Sequence, residues 1–300
     1  MPPAKLKQAK GFCSVKKQTC SYLFLLLLFL GVEASAEQRY EMRRTQVVPI
    51  QKAGTDRQYE LYIKLPEDYA EDADKRYPVI YTTDAVWHIE MLSGATEYMM
   101  SDVILVGISW QTNMEHEWEY VSRFRDYSVV PSSNEKTQAL YQMGNAQDHH
   151  AFIRDEVIGY VERNYRTDPE ERAYFGYSLG SLLGAYTLLI EPGTFKHYLL
   201  GSPAIDPIEI EYYGELEATV PEGQEADVNV WVSIGELEAD KMDITGDFVT
   251  LLEHREKPAF AVTGPVVIAD SDHGTAFPWT VLEGVKWLSS MIDDQEALER

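Results

Sequence analysis

Short, almost unbroken apolar runs alternate along this chain with longer stretches in which apolar residues recur every three or four positions. Tyr77–Thr82 and Val103–Ile108 are apolar nearly throughout, the pattern of strands covered on both faces of a parallel sheet. Arg172–Gly176, His197–Gly201, Val228–Ile234 and Gly264–Ala269 predict four more strands of this kind. Ahead of them, Thr45–Ile50 and Gln58–Leu65 alternate apolar with polar residues around a Gly54-Thr-Asp turn and predict two half-buried strands. Helical spacing runs from Ala146 to Arg163, with Phe152, Ile153, Val157, Tyr160 and Val161 on the apolar side. A second helix is expected over Leu179–Ile190, ended by Glu191-Pro-Gly, and a last one from Trp279 to Ile292. This alternation predicts an α/β fold, a mostly parallel sheet of about eight strands with helices on both faces. No repeat or linker divides residues 37–300, so one domain is expected, with an aperiodic insertion near 110–143 over the carboxyl edge of the sheet.

The first 36 residues stand apart. Lys5, Lys7, Lys10, Lys16 and Lys17 precede the greasy run Tyr22–Leu30, and Ala34-Ser-Ala36 follows it. A basic head, a short apolar middle and an A-x-A exit describe a cleavable secretory signal, too short to span a bilayer comfortably. The expected destination is outside the cell or the periplasm, with no membrane partner after cleavage. Cys13 and Cys20 both lie in this segment, so the mature chain would have neither disulfide nor thiolate chemistry.

Charge narrows the partners. The first 36 residues hold five lysines and one glutamate, leaving 21 basic and 48 acidic residues, a formal net of −27. That field repels nucleic acid and anionic membranes, so neither is an expected partner. A small-molecule substrate remains. Nothing in the sequence speaks to oligomeric state.

The candidate chemistry centres on Gly176-Tyr-Ser178-Leu-Gly180, a G-x-S-x-G pattern between a predicted strand and a predicted helix. In that setting it reads as a nucleophile elbow of the α/β-hydrolase fold, with Ser178 as nucleophile. A serine needs a base to react at neutral pH, and this fold places acid and histidine downstream in that order. His273, in Asp270-Ser-Asp-His-Gly274 between the last strand and the last helix, is the expected base, whereas His254 lies on a charged helix. The acid is expected at Glu238, with Glu236 second; a Ser–His pair without a third member is the alternative. The oxyanion donors are expected from the backbone N–H of Leu179 and from the loop Asp84-Ala85-Val86. Arg123 and Arg125 could hold an anionic group of the substrate or pair with nearby acids. Trp87, Trp110 and Trp118 could line a pocket or pack in the core. His149 and His150 are adjacent and cannot share a helix face, so no metal site is expected.

Several segments together resemble the putative-esterase family of α/β-hydrolases. They include Tyr77-Pro-Val-Ile-Tyr, Arg123-Phe-Arg-Asp126, Asn164-Tyr-Arg-Thr-Asp-Pro169, Phe175–Gly180, Gly201-Ser-Pro-Ala204, Gly235-Glu-Leu-Glu238 and His273-Gly-Thr275. The resemblance, nearer to the siderophore-hydrolase branch, implies hydrolysis of an ester or siderophore-like lactone through an acyl-serine. It implies Ser178 and His273 in catalysis and no metal or other cofactor, and Arg123, Arg125 and Tyr177 are the expected substrate-binding residues of this sequence. Tyr177 stands where the family commonly has His, and Ser181 and Ala85 stand where it has Gly. A binding protein on the same scaffold and an acyltransferase are the competing readings.

Overall fold

The computed structural model describes residues 41–115, 118–217, 227–255 and 260–299, with side chains as far as 293. The expected signal segment lies outside the described residues. Among those described, eight strands form one sheet: β1 (Thr45–Gln51), β2 (Gln58–Lys64), β3 (Tyr77–Thr82), β4 (Ile104–Ile108), β5 (Thr167–Tyr177), β6 (His197–Gly201), β7 (Val228–Gly235) and β8 (Phe260–Ile268). Their spatial order is β1-β2-β4-β3-β5-β6-β7-β8. β2 pairs antiparallel with both β1 and β4, and every other pairing is parallel.

The two-residue period of a strand sends alternate side chains to opposite faces. On the central strands, Val79 and Tyr81 of β3, Tyr174 of β5 and Leu200 of β6 enter one core, while Ile80, Phe175 and Leu199 enter the other. Helices α1 (Ala85–Met99) and α9 (Ala276–Glu299) cover the second face and pack on each other. The first face carries α4 (Ala146–Phe152), α5 (Gly159–Asn164), α6 (Leu179–Ile190) and, further along, α7 (Pro207–Glu217) and α8 (Ala239–Glu253). From Glu41 onward the chain forms a single compact unit. No helix among the described residues is long and apolar enough to cross a membrane.

Several elements differ from the sequence expectation for identifiable reasons. β8 begins at Phe260, ahead of the expected Gly264, because Gly264-Pro265 sits inside the strand, where the register with β7 shifts between Trp231 and Ser233. The expected helix over 146–163 is three joined pieces, α4 and α5 flanking a π-helical turn at Ile153–Ile158. Residues 110–143 contain α2 (Ser122–Tyr127) and α3 (Glu135–Tyr141), and α2 is largely buried. The loop expected at Asp84-Ala85-Val86 ends at Asp84, where α1 begins, and α7 carries no helical signal in the sequence.

Candidate active site

Four parallel strands end close together, and the chemistry-bearing residues follow their carboxyl ends. Ser178 follows β5, Ser202 follows β6, Glu238 lies three residues past the end of β7, and His273 lies in the loop between β8 and α9. Ser178 caps α6 with φ 58° and ψ −119°, a conformation that a non-glycine residue adopts only when its surroundings enforce it. The enforcing contacts are visible. The Ser178 N–H donates to the Gly201 carbonyl at 3.0 Å, and the Ser178 carbonyl accepts from Leu182 and Ala204 N–H at 3.1 and 3.2 Å. A Cβ on Gly176 would come within 2.5 Å of the Gly180 carbonyl oxygen, so only glycine lets the turn close. Ser181 adds a further tie, its hydroxyl lying 2.7 Å from the Gly176 carbonyl and 2.8 Å from that of Gly201.

The imidazole and its acid meet directly. His273 Nδ1 is 2.6 Å from Glu238 Oε2. The Glu238 side chain is almost fully enclosed, while that of His273 is 50% exposed. Glu238 Oε1 accepts from the Ser202 hydroxyl at 2.7 Å and from the Gly235 N–H at 3.0 Å. Burial pushes this carboxyl up, but the hydrogen bonds from His273, Ser202 and Gly235 together hold it below the ordinary glutamate value. Glu236, the second candidate, is turned elsewhere and accepts from the Asp270 N–H at 2.8 Å.

Ser178, Leu179, Ser202, Glu238 and His273 all line one cavity of about 320 Å³. Ser128 and Met143, from either end of the segment around α3, add to its wall. No hydrogen bond joins the Ser178 hydroxyl to the His273 imidazole, a contact that catalytic sites often make well only with substrate bound. Leu179 is the first residue of α6, so its N–H has no carbonyl four residues back to bond within the helix. Across the cavity, Lys241 pairs with Asp206, and burial pushes the Glu209 carboxyl up.

Five expected contributors are placed otherwise. Arg123 is buried and grips Asp84 with two bonds of 2.9 Å, from Nε and from a terminal nitrogen. Arg125 is buried too and binds Asp126 at 2.7 and 3.0 Å and Gln111 at 2.9 Å. Both guanidinium groups therefore neutralise internal carboxylates, and neither lines the Ser178 cavity. Ala85 and Val86 lie outside its wall as well, because α1 starts directly after Asp84. The Ala85 Cβ packs where a side chain on Gly107 would otherwise sit, and Val86 opens onto two other hollows. Tyr177 is buried, and its hydroxyl donates to the His273 carbonyl at 2.6 Å, which turns it away from a substrate role.

The remaining aromatic and imidazole groups lie apart from this cavity. Trp110 is buried with its ring N–H on Asp84 at 2.5 Å, and Trp87 packs edge-on against it. His149 sits among the rings of Tyr59, Tyr127 and Phe152, whereas His150 faces Thr187 and Glu191. Sequence reasoning did not single out Ser202. Its only signal was its place directly after β6, inside Gly201-Ser-Pro-Ala204.

A sheet in this order, with a strained serine turn after β5 and the remaining polar groups after β7 and β8, defines an α/β-hydrolase. The chain belongs to the Putative esterase family, whose pattern it matches over residues 53–281, and it is a serine esterase acting on carboxylic esters. It is 25% identical over 211 residues to the ferri-bacillibactin esterase BesA of Bacillus subtilis (strain 168), a match covering 65% of this chain and 71% of that one. Among solved structures, the BES protein from Bacillus cereus superposes with a TM-score of 0.70 at 20% identity, covering 84% of this chain and 97% of the other. The siderophore hydrolase EstA from Aspergillus nidulans gives 0.70 at 17% identity, covering 85% and 96%.

Proposed function

We propose that this esterase works through an acyl-serine formed on Ser178, with His273 as general base and Glu238 as the acid that orients it. The carrying observation is the 2.6 Å contact between Glu238 and His273 Nδ1 beside a cavity that Ser178 also lines. With Nδ1–H donated to Glu238, Nε2 is left as the acceptor, the tautomer a general base needs. As the Ser178 oxygen bonds to the substrate carbonyl carbon, its proton passes to Nε2. The tetrahedral oxyanion receives the Leu179 N–H. Collapse breaks the carbon–oxygen bond to the leaving alcohol, which takes the proton from Nε2. Water then repeats the sequence: its proton goes to Nε2, its oxygen to the acyl carbon, and Ser178 is regenerated.

The proposed substrate is a small ester or a siderophore-like lactone, a reading supported by the likeness to a ferri-bacillibactin esterase and to a siderophore hydrolase. Hydrolysis is favoured over acyl transfer because the half-exposed imidazole gives bulk water direct access to the base. We also propose export directed by the first 36 residues, tested by sequencing the N-terminus of the exported protein, expected at Glu37.

The decisive experiment is Ser178→Ala assayed on p-nitrophenyl butyrate, a ferric trilactone siderophore and short acyl esters, beside labelling with a fluorophosphonate probe. Loss of both turnover and labelling supports the reading. Unchanged turnover in the variant rejects it. Ester product appearing when an alcohol is added would identify an acyltransferase.

A further inference from the structure

Tyr177, Ser202, Glu238 and His273 close a ring of polar contacts beneath the cavity. The Tyr177 hydroxyl donates to the His273 main-chain carbonyl at 2.6 Å, and the Ser202 oxygen lies 3.0 Å from the Tyr177 oxygen. The Ser202 hydroxyl reaches Glu238 Oε1 at 2.7 Å, and Glu238 Oε2 returns to His273 Nδ1 at 2.6 Å. Tyr177 is 6% exposed, Ser202 2% and Glu238 7%, so water has little access to compete for these contacts.

Ser202 is held in a sparsely populated conformation, φ 38°, although it is not glycine. Its N–H is anchored on the Ser233 carbonyl at 2.8 Å. A carboxylate can turn about its last bond and offer either oxygen. The Ser202 and Gly235 donors both engage Oε1, which leaves Oε2 as the oxygen facing the imidazole. Tyr177 acts on the other partner. It immediately precedes Ser178 in the chain, so its grip on the His273 carbonyl ties the base-bearing loop to the nucleophile turn through one side chain.

We infer that Ser202 and Tyr177 are positioning residues of this esterase, Ser202 acting through Glu238 and Tyr177 through the main chain of His273. This rests on the roles proposed above for Ser178, Glu238 and His273. Neither residue touches the reacting atoms. Each holds one member of the imidazole–carboxylate pair where proton transfer requires it, as outer partners do in other polar sites.

The test uses the full chain with kcat, KM and thermal midpoint measured for Ser202→Ala, Ser202→Gly, Tyr177→Phe and Ser178→Ala on p-nitrophenyl butyrate. Both Ser202 variants lack the hydroxyl, but glycine tolerates the positive φ and alanine does not. A purely structural role makes activity follow stability, so Ser202→Gly would recover. A positioning role makes activity follow the hydroxyl. The expected result is a fall in kcat of about 10–100-fold in Ser202→Ala, Ser202→Gly and Tyr177→Phe, with KM within about twofold. Ser202→Gly is expected to melt above Ser202→Ala. In a Glu238→Ala background, Ser202→Ala should change kcat less than about twofold, because the group it acts through is gone.

A fall of less than about fivefold in kcat for Ser202→Gly and Tyr177→Phe overturns the inference, as does an undiminished effect of Ser202→Ala when Glu238 is absent. If Ser178→Ala is inactive while these variants are neutral, only this inference fails. If Ser178→Ala is fully active, the underlying assignment fails with it.

Discussion

His273 Nδ1 and Glu238 Oε2 lie 2.6 Å apart although 35 residues separate them in the chain. The imidazole reaches outward from the β8–α9 loop, and the carboxylate approaches from beneath, already bonded on its other oxygen. Replacing Glu238 by Gln keeps shape and removes charge, so the imidazolium of the proposed mechanism would lose its counter-ion. We expect kcat to fall by about 10²–10⁴-fold in Glu238→Gln. Glu236→Gln, whose carboxylate holds only the Asp270 N–H, should stay within about threefold of wild type. Steady-state kinetics on one neutral ester checks both.

Asp84 is fully buried and its charge is met by Arg123. Arg123→Ala would leave that carboxylate without its cation, and we expect a loss of about 3–5 kcal/mol in chemical denaturation. Arg123→Lys should recover only part of it, since a lysine cannot reproduce the two-pronged contact. KM for a small neutral ester should barely change in any variant that still folds.

Acid sensitivity should have a traceable component at Glu97. Hydrogen bonds from Arg44 and Lys64 hold its carboxyl down to about 2, from a usual 4.5. A carboxyl lower in the folded than in the unfolded chain stabilises fully above its unfolded value, and this is lost as pH falls through the folded one. The thermal midpoint should therefore drop between about pH 4.5 and 2, and Glu97→Gln should flatten that drop. The group is 40% exposed, so the effect is small.

Two glycines should respond oppositely to alanine. Gly176→Ala would drive a methyl group into the Gly180 carbonyl, and we expect a destabilisation of about 1–3 kcal/mol together with lost turnover. Gly246, inside α8 with nothing within 4 Å of the added carbon, should gain about 0.5–1 kcal/mol on the same change. Denaturant midpoints read both signs.

Legibility in the sequence followed the range of the interactions involved. β3, β6 and α6 have the bounds their patterns predict, because each is largely apolar and stopped by a local signal. β5 reaches back to Thr167, which pairs with Tyr77 of β3; the register then jumps to Arg172 opposite Val79, so the loop-like Asp168-Pro-Glu170 bulges out of the pairing. α7 hid behind Ile208, Ile210 and Tyr212 alternating with acids, a strand-like period. Its start is fixed by reciprocal bonds between Asp206 and Glu209, each 3.0 Å long. At the site, Ser178 and His273 stood out through short motifs between recognisable elements. The choice between Glu238 and Glu236 depended on a turn, with Glu238 N–H bonding Gly235 and Glu236 N–H bonding Ile268, that no local pattern encodes. The partner of Arg123 was equally hidden, since a chain rich in acids offers many candidates and only the packing of α2 selects Asp84, whereas Arg125 takes its own neighbour Asp126, one of the nearby acids the sequence offered.

The open side of the His273 ring has a kinetic corollary. Protons taken up by this imidazole can exchange directly with buffer.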